Sequence, residues 1–400
     1  MPAVAAACLA LLLAGCTGGN GGGPTGSTTL PETSEVRVPD VAERLELQLS
    51  IPWSAVFLPD GTAIISERDT ARLKAVPAGG GGRETINLGE VPGVSAAGEG
   101  GLLGLALSPG FASDRYLYMY FTAQEDNRIA RAGVQETGDG GLSLDRPEVI
   151  FTGIPKANTH NGGRIRFGPD GFLYVGTGDS QRRNQPQDPD ALGGKILRLT
   201  ADGGPAPGNP FGNAVYSLGH RNVQGLAWDS AGRLWASEFG PDVNDELNLI
   251  VSGGNYGWPA VTGAPRRPEF QDAKVVWPST SESSPSGLEI VGSTAYLGAL
   301  RGQRLWTVPL AGEEAGTPVG HFTRQYGRIR DVIRTPEGGF WLLTNNENPD
   351  SVLVLPRCPD AGAVQGSDFT WAKSSCRVSC RCGDQRGKKS PMITANKMHL

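Results

Sequence analysis

Short apolar runs separated by turn residues recur along the chain from Val36 to Leu355. Trp53–Leu58 is apolar, Pro59-Asp60-Gly61 interrupts it, and Ala63–Glu67 is a second apolar run closed by an acid. In Pro-Asp-Gly the proline presets φ and the glycine accepts the positive φ of a tight turn, so the pattern predicts an antiparallel hairpin. Further copies are Gly101–Phe111 with Tyr116–Phe121, Arg164–Val175, Gly225–Glu238, Gly287–Val291 with Ala295–Gly298, and Ile329–Thr344. A further short strand follows the hairpin, as in Arg72–Val76, Lys195–Leu199, Glu246–Ile250, Arg304–Val308 and Ser351–Leu355. The copies stand about 45–62 residues apart, the spacing of propeller blades. The chain is therefore expected to be all-β, a six-bladed β-propeller with four-stranded antiparallel blades. A lone blade cannot bury both faces, whereas a closed ring of them does and leaves few exposed edges. A pair of β-sandwiches does not predict six copies of one motif.

The third copy is the most polar at its open end. Asn158–Asp179 reads N-T-H-N-G-G-R-I-R-F-G-P-D-G-F-L-Y-V-G-T-G-D. Arg164–Phe167 alternates polar and apolar, Pro169-Asp170-Gly171 turns, and Phe172–Val175 is the aromatic and β-branched return strand. A hairpin brings its ends together, so His160 and Asp179 are expected at the same end of one sheet.

Composition supports a turn-rich β fold: Gly (58) and Pro (30) exceed a fifth of the 400 residues and lie between short apolar runs. The net charge of −5 carries no basic stripe, which argues against a nucleic-acid partner. Outside the N-terminus no apolar run is long enough to span a membrane. Ala3–Ala14 is an apolar segment, and Leu13-Ala14-Gly15-Cys16 resembles a bacterial lipoprotein cleavage box, although no positive charge precedes it. Residues 1–16 are thus expected to be a lipoprotein-type signal peptide, 17–35 a flexible tether and 36–357 the propeller, with export to the periplasm or cell surface on a lipid at Cys16. The tail 358–400 holds four of the six cysteines, Cys358, Cys376, Cys380 and Cys382. Their spacing fits no common zinc module, and disulfides are equally open; the simplest expectation is a poorly ordered segment without functional role.

Four clusters offer chemistry. Of the four histidines, His160 alone sits in a polar, glycine-rich turn at a strand entrance. There it can serve as a general base near neutral pH or simply satisfy a loop hydrogen bond, and the local sequence leaves both open. Arg221 and Asn222, in Gly219–Gly225, can grip a carboxylate or quinone oxygen, or be solvated loop residues. Ser237–Glu246, through Phe239, Gly240, Pro241, Asp242 and Asp245, is a dense set of oxygen ligands that suits a hard cation such as Ca²⁺ without matching an EF-hand, or an ordinary turn. Arg328 and Arg330 have period-two spacing and are expected on one face of a strand; facing a channel, they call for an anion. No nucleophile elbow, Walker loop or dinucleotide fingerprint is present, so a redox enzyme here would need a cofactor other than a nucleotide.

In combination these motifs are specific. G-E-G-G-L-L-G-L-A at Gly98–Ala106, H-N-G-G-R-I-R-F-G-P-D-G at His160–Gly171, T-G-D at Thr177–Asp179, G-G-K-I-L-R-L at Gly193–Leu199, G-H-R-N-V-Q-G-L at Gly219–Leu226 and D-E-L-N-L-I-V-S-G-G-N-Y-G-W-P at Asp245–Pro259 resemble the soluble quinoprotein glucose/sorbosone dehydrogenases, bacterial aldose sugar dehydrogenases included. The resemblance covers roughly Leu45–Leu355. It implies a six-bladed propeller binding pyrroloquinoline quinone (PQQ), a tricarboxylate ortho-quinone, with Ca²⁺ at the channel mouth. It implies that His160 takes the proton of the sugar's anomeric hydroxyl, that Asp179 orients His160 and meets the substrate, and that Arg221 stabilises charge on the quinone beside Asn222. Gly240 and Pro241 would give Ca²⁺ their carbonyls, and Arg328 and Arg330 would pair with the cofactor's carboxylates. Trp277 and Ser279 fall where the family offers an aromatic and a hydroxyl to the cofactor. Glu99, near the substrate, stands in place of the Gln of the best-known glucose-oxidising members. Phe239 replaces a polar side chain beside the cofactor, Arg301 a Lys, and Ser279 a Thr. Few long insertions separate the blades, which implies an open site and broad sugar specificity.

Three functions follow. The first is a PQQ- and Ca²⁺-dependent aldose dehydrogenase that oxidises C1 of sugars to lactones and passes electrons to an acceptor the sequence does not name. The second is a non-enzymatic cell-surface propeller that binds glycans or proteins and has lost the cofactor. The third is a Ca²⁺-dependent lactonase-type propeller, which requires several carboxylates and amides converging on one metal.

Overall fold

The computed structural model describes residues 38–78, 85–138, 141–346 and 350–357. The expected signal peptide, tether, lipid-bearing Cys16 and cysteine-containing tail lie outside them. Among the described residues there are six sheets, each with a four-strand antiparallel path, and a single helical turn at Phe111–Asp114. Blade 1 is Pro52–Phe57, Ala63–Glu67, Arg72–Val76 and Ile86–Glu90; blade 2 is Leu102–Leu107, Tyr116–Thr122, Asn127–Glu136 and Glu148–Ile154, with Leu142–Leu144 added to its third strand. Blade 3 is Ile165–Phe167, Leu173–Gly176, Lys195–Leu199 and Val215–Leu218, and blade 4 is Val223–Trp228, Leu234–Glu238, Val243–Ile250 and Val275–Ser279. Blade 5 is Pro285–Val291, Thr294–Ala299, Arg304–Ala311 and Glu314–Ala315, with Val319–His321 also on the third strand. Blade 6 takes Ile329–Arg334, Phe340–Thr344 and Asp350–Leu355 from the end of the propeller and its outer strand, Glu43–Leu49, from the beginning. That pairing closes the ring, with Leu45 opposite Val352 and the Arg44 guanidinium donating to the Ser351 hydroxyl at 2.9 Å.

The hairpins lie where the Pro-Asp-Gly and related turns predict them, within a residue. They are apolar on both faces because both faces are covered. The second strands Ala63–Glu67, Leu173–Gly176 and Leu234–Glu238 are buried at every position. The buried apolar side chains fall into six clusters, one between each pair of neighbouring blades. Trp235, Trp277, Trp306 and Leu297 fill the space between blades 4 and 5, and Ile64, Leu73, Leu105 and Met119 that between blades 1 and 2. The first strand of each blade packs beside the first strands of its neighbours around the axis.

One buried cation holds the loop that carries Asp179. Lys195 is fully buried, and its ammonium donates to the carbonyls of Gln185 (2.6 Å), Pro186 (3.1 Å) and Gly193 (2.8 Å). Replacing it strands three carbonyls in a dry site, each a desolvation cost without a donor. Lys195→Met is therefore expected to destabilise the protein by roughly 2–4 kcal/mol. Thermal unfolding should show a Tm lower by roughly 3–6 °C; an unchanged Tm would mean that the loop does not depend on the ammonium.

Candidate functional site

In an antiparallel hairpin the start of the first strand and the end of the second meet at one end. The six blades therefore present twelve such positions around one mouth of the channel, and the chemistry-bearing residues occupy them. Glu99, His160, Arg221, Ser284 and Arg328 precede first strands; Arg68, Asp179, Phe239 and Arg301 follow second strands. All of them but Asp179 line a cavity of ≈ 310 Å³. Its wall carries five arginines, Arg68, Arg221, Arg301, Arg328 and Arg330, and one carboxylate, Glu99.

His160 is held from several sides. Its backbone is left-handed (φ +60°), a conformation uncommon outside glycine and asparagine that must be held by its surroundings. The Glu99 carboxylate accepts the His160 N–H at 2.9 Å, and the Glu99 N–H donates to the Asn158 carbonyl at 2.7 Å. Beside it Gly162 (φ +65°) donates its N–H to Asn222 Oδ1 at 3.0 Å, and a Cβ at Gly178 would collide with the His160 carbonyl.

The ring's partners fix its tautomer. Arg221 Nη2 lies 2.8 Å from His160 Nε2, and a guanidinium only donates, so Nε2 is the accepting nitrogen. Nδ1 then carries the proton and donates it to Asp179 Oδ1 at 2.7 Å. Asp179 also accepts from the Gln181 N–H (2.9 Å) and from Trp258 Nε1–H at its other oxygen (2.8 Å). Burial pushes the Asp179 carboxyl up, but the bonds from His160, Gln181 and Trp258 outweigh it and hold the group below the usual carboxylate range. Asp179 is thus an anion that keeps the Nε2 lone pair directed toward Arg221, and His160 lines the cavity.

Arg68 pairs with Asp69 at 2.5 Å, but Arg330 lacks the anion that ordinarily accompanies a buried cation. Arg330 is 6 % exposed and donates only to neutral oxygens: Gln224 Oε1 (2.9 Å), Ser286 Oγ (3.3 Å) and Asn345 Oδ1 (2.9 Å). Its Nε has no partner, nor do Arg221 Nε and Asn222 Nδ2. Burial first, then the like charges of Arg68 and Arg328, push Arg330 down to about 9. Arg301 Nη1 donates to Thr280 Oγ1 at 3.0 Å.

Gly240 and Pro241 enter the cavity wall as a backbone turn. Asp245, buried behind it, accepts the N–H groups of Gly240 (2.9 Å) and Ser284 (2.6 Å). Burial pushes Asp245 up to about 6 against those bonds and the charge of Arg221. Its carboxylate clamps the turn from behind, and a Cβ at Gly240 would collide with the Val243 carbonyl. Among the described residues no group of three or more His, Cys, Asp or Glu side chains converges to hold a metal, so the acid cage a lactonase-type site requires is not found there.

Glu99, His160, Arg221, Phe239, Gly240, Pro241, Arg301, Arg328 and Arg330 therefore lie together on one cavity, as the sequence led us to expect. Asp179 and Asn222 stand behind it, each in contact with the His160 loop and neither in the wall. Arg328 precedes the strand that begins at Ile329, and pairing there shifts register between Ile329 and Asp331. Both arginines line the cavity, as their period-two spacing led us to expect. Trp277 and Ser279 are corrected: neither lines the cavity. Trp277 lies on the outer strand of blade 4 and packs into the core between blades 4 and 5, 5.8 Å from Trp306, while the Ser279 hydroxyl bonds Ser281. The hydroxyl at the cavity is that of Thr280, one residue on, where the chain leaves the strand.

Sequence reasoning also missed Trp53, Arg68, Gln224, Ser284 and Leu300 in the wall. Arg68 had a signal, because it follows the second strand of blade 1 as Asp179 follows that of blade 3. Trp258, which reaches Asp179 across 79 residues, stood in the Asp245–Pro259 motif, but nothing in that motif pointed to Asp179.

Residues 49–354 match the family model described as Glucose / Sorbosone dehydrogenase. Aldose sugar dehydrogenase YliI of Escherichia coli (strain K12) is 32% identical over 350 residues, covering 79% of this chain and 92% of that protein. Quinoprotein glucose dehydrogenase B of Acinetobacter calcoaceticus is 35% identical over 247 residues, 54% of this chain and 51% of that protein. The solved PQQ-bound form of aldose sugar dehydrogenase from Streptomyces coelicolor superposes with a TM-score of 0.76 at 48% identity, covering 79% of this chain and 97% of that one.

Proposed function

The chain belongs to the glucose/sorbosone dehydrogenase family of oxidoreductases, and on that footing we propose that it is a quinoprotein that oxidises the C1 hydroxyl of aldose sugars to lactones, with PQQ as electron acceptor and Ca²⁺ beside it. The observation that carries the reading is the pairing, on one cavity, of a tautomer-locked His160 with a buried Arg330 whose hydrogen-bond partners are all neutral, in a wall of five arginines and one carboxylate.

The residues present fit the cofactor. A tricarboxylate would supply the anion that Arg330 lacks, and the partnerless Nε atoms of Arg221 and Arg330 stand beside the cavity. Phe239, which stands where the best-known glucose-oxidising members have a polar side chain, adds an apolar surface to this wall. Arg68, Arg301, Arg328 and Arg330 would hold the carboxylates. The carbonyls of Gly240 and Pro241 are hard oxygen donors suited to Ca²⁺, whose remaining ligands would come from the cofactor and water. Bound there, PQQ supplies an ortho-quinone that accepts a hydride from C1.

The protein's own part is proton transfer and preorganised charge. His160 Nε2 accepts the proton of the C1 hydroxyl once substrate displaces the Arg221 contact, and Asp179 stabilises the imidazolium that forms. Arg221, fixed by its bond to the Phe239 carbonyl at 3.2 Å and by the Glu238 carboxylate on its N–H, offers positive charge where the acceptor becomes negative. Neither role needs a large movement.

Titration of the cofactor-free protein with PQQ and Ca²⁺, followed by dye-coupled oxidation of a panel of aldoses, tests the reading. Stoichiometric binding, and bleaching of the quinone absorbance when sugar is added, is the expected result. A folded protein that binds no PQQ would overturn it, and the non-enzymatic binding module would become the better account.

A further inference from the structure

Three tryptophans carry indole nitrogens that illustrate a contrast. Trp277 Nε1 and Trp306 Nε1 are buried without a hydrogen-bond partner, as space-filling residues of the blade 4–5 core. Trp258 Nε1–H instead donates to Asp179 Oδ2 at 2.8 Å. The two oxygens of Asp179 are thereby divided, Oδ1 for His160 and Oδ2 for Trp258.

Trp258 is itself fixed. Its backbone N–H donates to the Gly219 carbonyl (2.9 Å), and its carbonyl accepts from Gln187 Nε2 (2.8 Å). Its side chain is 7 % exposed. The guanidinium of Arg221 lies over its ring at 5.5 Å and that of Arg183 at 4.7 Å. One side chain thus touches both the anion behind His160 and the arginine in front of it.

We propose that Trp258 is a positioning residue for the His160–Asp179 pair and for Arg221. The inference rests on the dehydrogenase reading for its consequence in turnover, but its structural core does not. With the indole N–H in place the carboxylate cannot rotate Oδ2 toward His160 without stranding a buried donor, so Oδ1 stays on Nδ1 and the imidazole plane stays fixed. The ring supplies a flat support for the Arg221 guanidinium, which holds it within reach of Nε2. Without the N–H, Asp179 loses one of the donors that hold its carboxyl low and is free to turn, while the tautomer stays set by Arg221 and Asp179.

The test is Trp258→Phe, which keeps an aromatic ring and removes the donor. In the cofactor-free protein, ¹³C NMR of the side-chain carboxyls should show Asp179 titrating at higher pH in the variant than in the wild type, because one donor to its charged form is gone. In the loaded enzyme kcat should fall about tenfold while KM stays within about twofold. If Trp258→Phe fails to fold, benzothienylalanine at position 258 keeps the indole shape with sulfur in place of N–H and should give the same shift of the Asp179 titration. An unchanged Asp179 titration in either folded variant would overturn the proposal. A raised Asp179 titration in a protein that oxidises no aldose would uphold the positioning role and overturn the dehydrogenase reading instead.

Discussion

Replacement of His160 by asparagine is expected to lower kcat by about three orders of magnitude while leaving cofactor affinity within a few-fold of wild type. The choice of asparagine follows from the backbone. His160 is left-handed, and asparagine tolerates that conformation better than alanine, so the Glu99 and Gly162 contacts that shape the loop should survive. What is lost is the lone pair at Nε2 and the Nδ1–H that Asp179 accepts. The arginines that would hold the carboxylates lie on other blades and do not depend on the imidazole. A normal PQQ titration with turnover near the limit of detection would separate the base from the binding site, whereas wild-type turnover would remove His160 from the chemistry. Asp179→Asn should lose less affinity still but a comparable share of rate, because an amide can offer its N–H to Nδ1 and invert the tautomer.

The blades were readable because their signals are local. A Pro-Asp-Gly between two apolar runs specifies a hairpin whatever surrounds it, and repetition at blade spacing specifies how hairpins must cover one another. The pairing of His160 with Asp179 was readable for the same reason, since a single hairpin joins them. The cavity wall was readable where a residue differs in chemistry from its neighbours, as Arg221 and Arg330 do. It was misread at Trp277 and Ser279 because position in a motif does not say which way an outer strand's side chain points; alternation sends Trp277 into the inter-blade core and leaves Thr280 to face the cavity. Trp258 stood within the Asp245–Pro259 motif, but its role was not legible there because its contact with Asp179 runs between blades and no local pattern encodes it. Arg68 and Gln224 belong between these cases: each stands at a recurring hairpin position, but its meaning depends on the other five blades.

The arginine wall yields the second large effect, in which stability and affinity are expected to move in opposite directions. Arg330 is buried, and its pKa of about 9 lies well below the ordinary arginine value. Above pH 9 the unfolded chain therefore holds the proton more tightly than the folded one, and below pH 9 the folded protein carries a cation at a cost that is relieved only as pH rises past about 9. Burial is the larger cause, and Arg68 and Arg328 add repulsion. An anion in the cavity reverses that cost at neutral pH. Arg330→Gln is then expected to weaken PQQ by about 10²–10³-fold, the range for truncating one partner of a buried charge pair, with a smaller loss for the more exposed Arg328→Gln. In the cofactor-free protein Arg328→Gln relieves repulsion, so its Tm should equal or exceed that of the wild type even though its affinity is lower. The stabilisation conferred by PQQ, about 2.7 kcal/mol at a hundredfold excess over Kd, should be almost absent from Arg330→Gln at the same concentration. Thermal scans with and without cofactor read both signs in one experiment. A fall in the cofactor-free Tm of Arg328→Gln matching its loss of affinity would mean that the arginines serve the fold; a raised Tm with weakened binding would mean that the folded state tolerates mutual repulsion so that an anionic cofactor can relieve it.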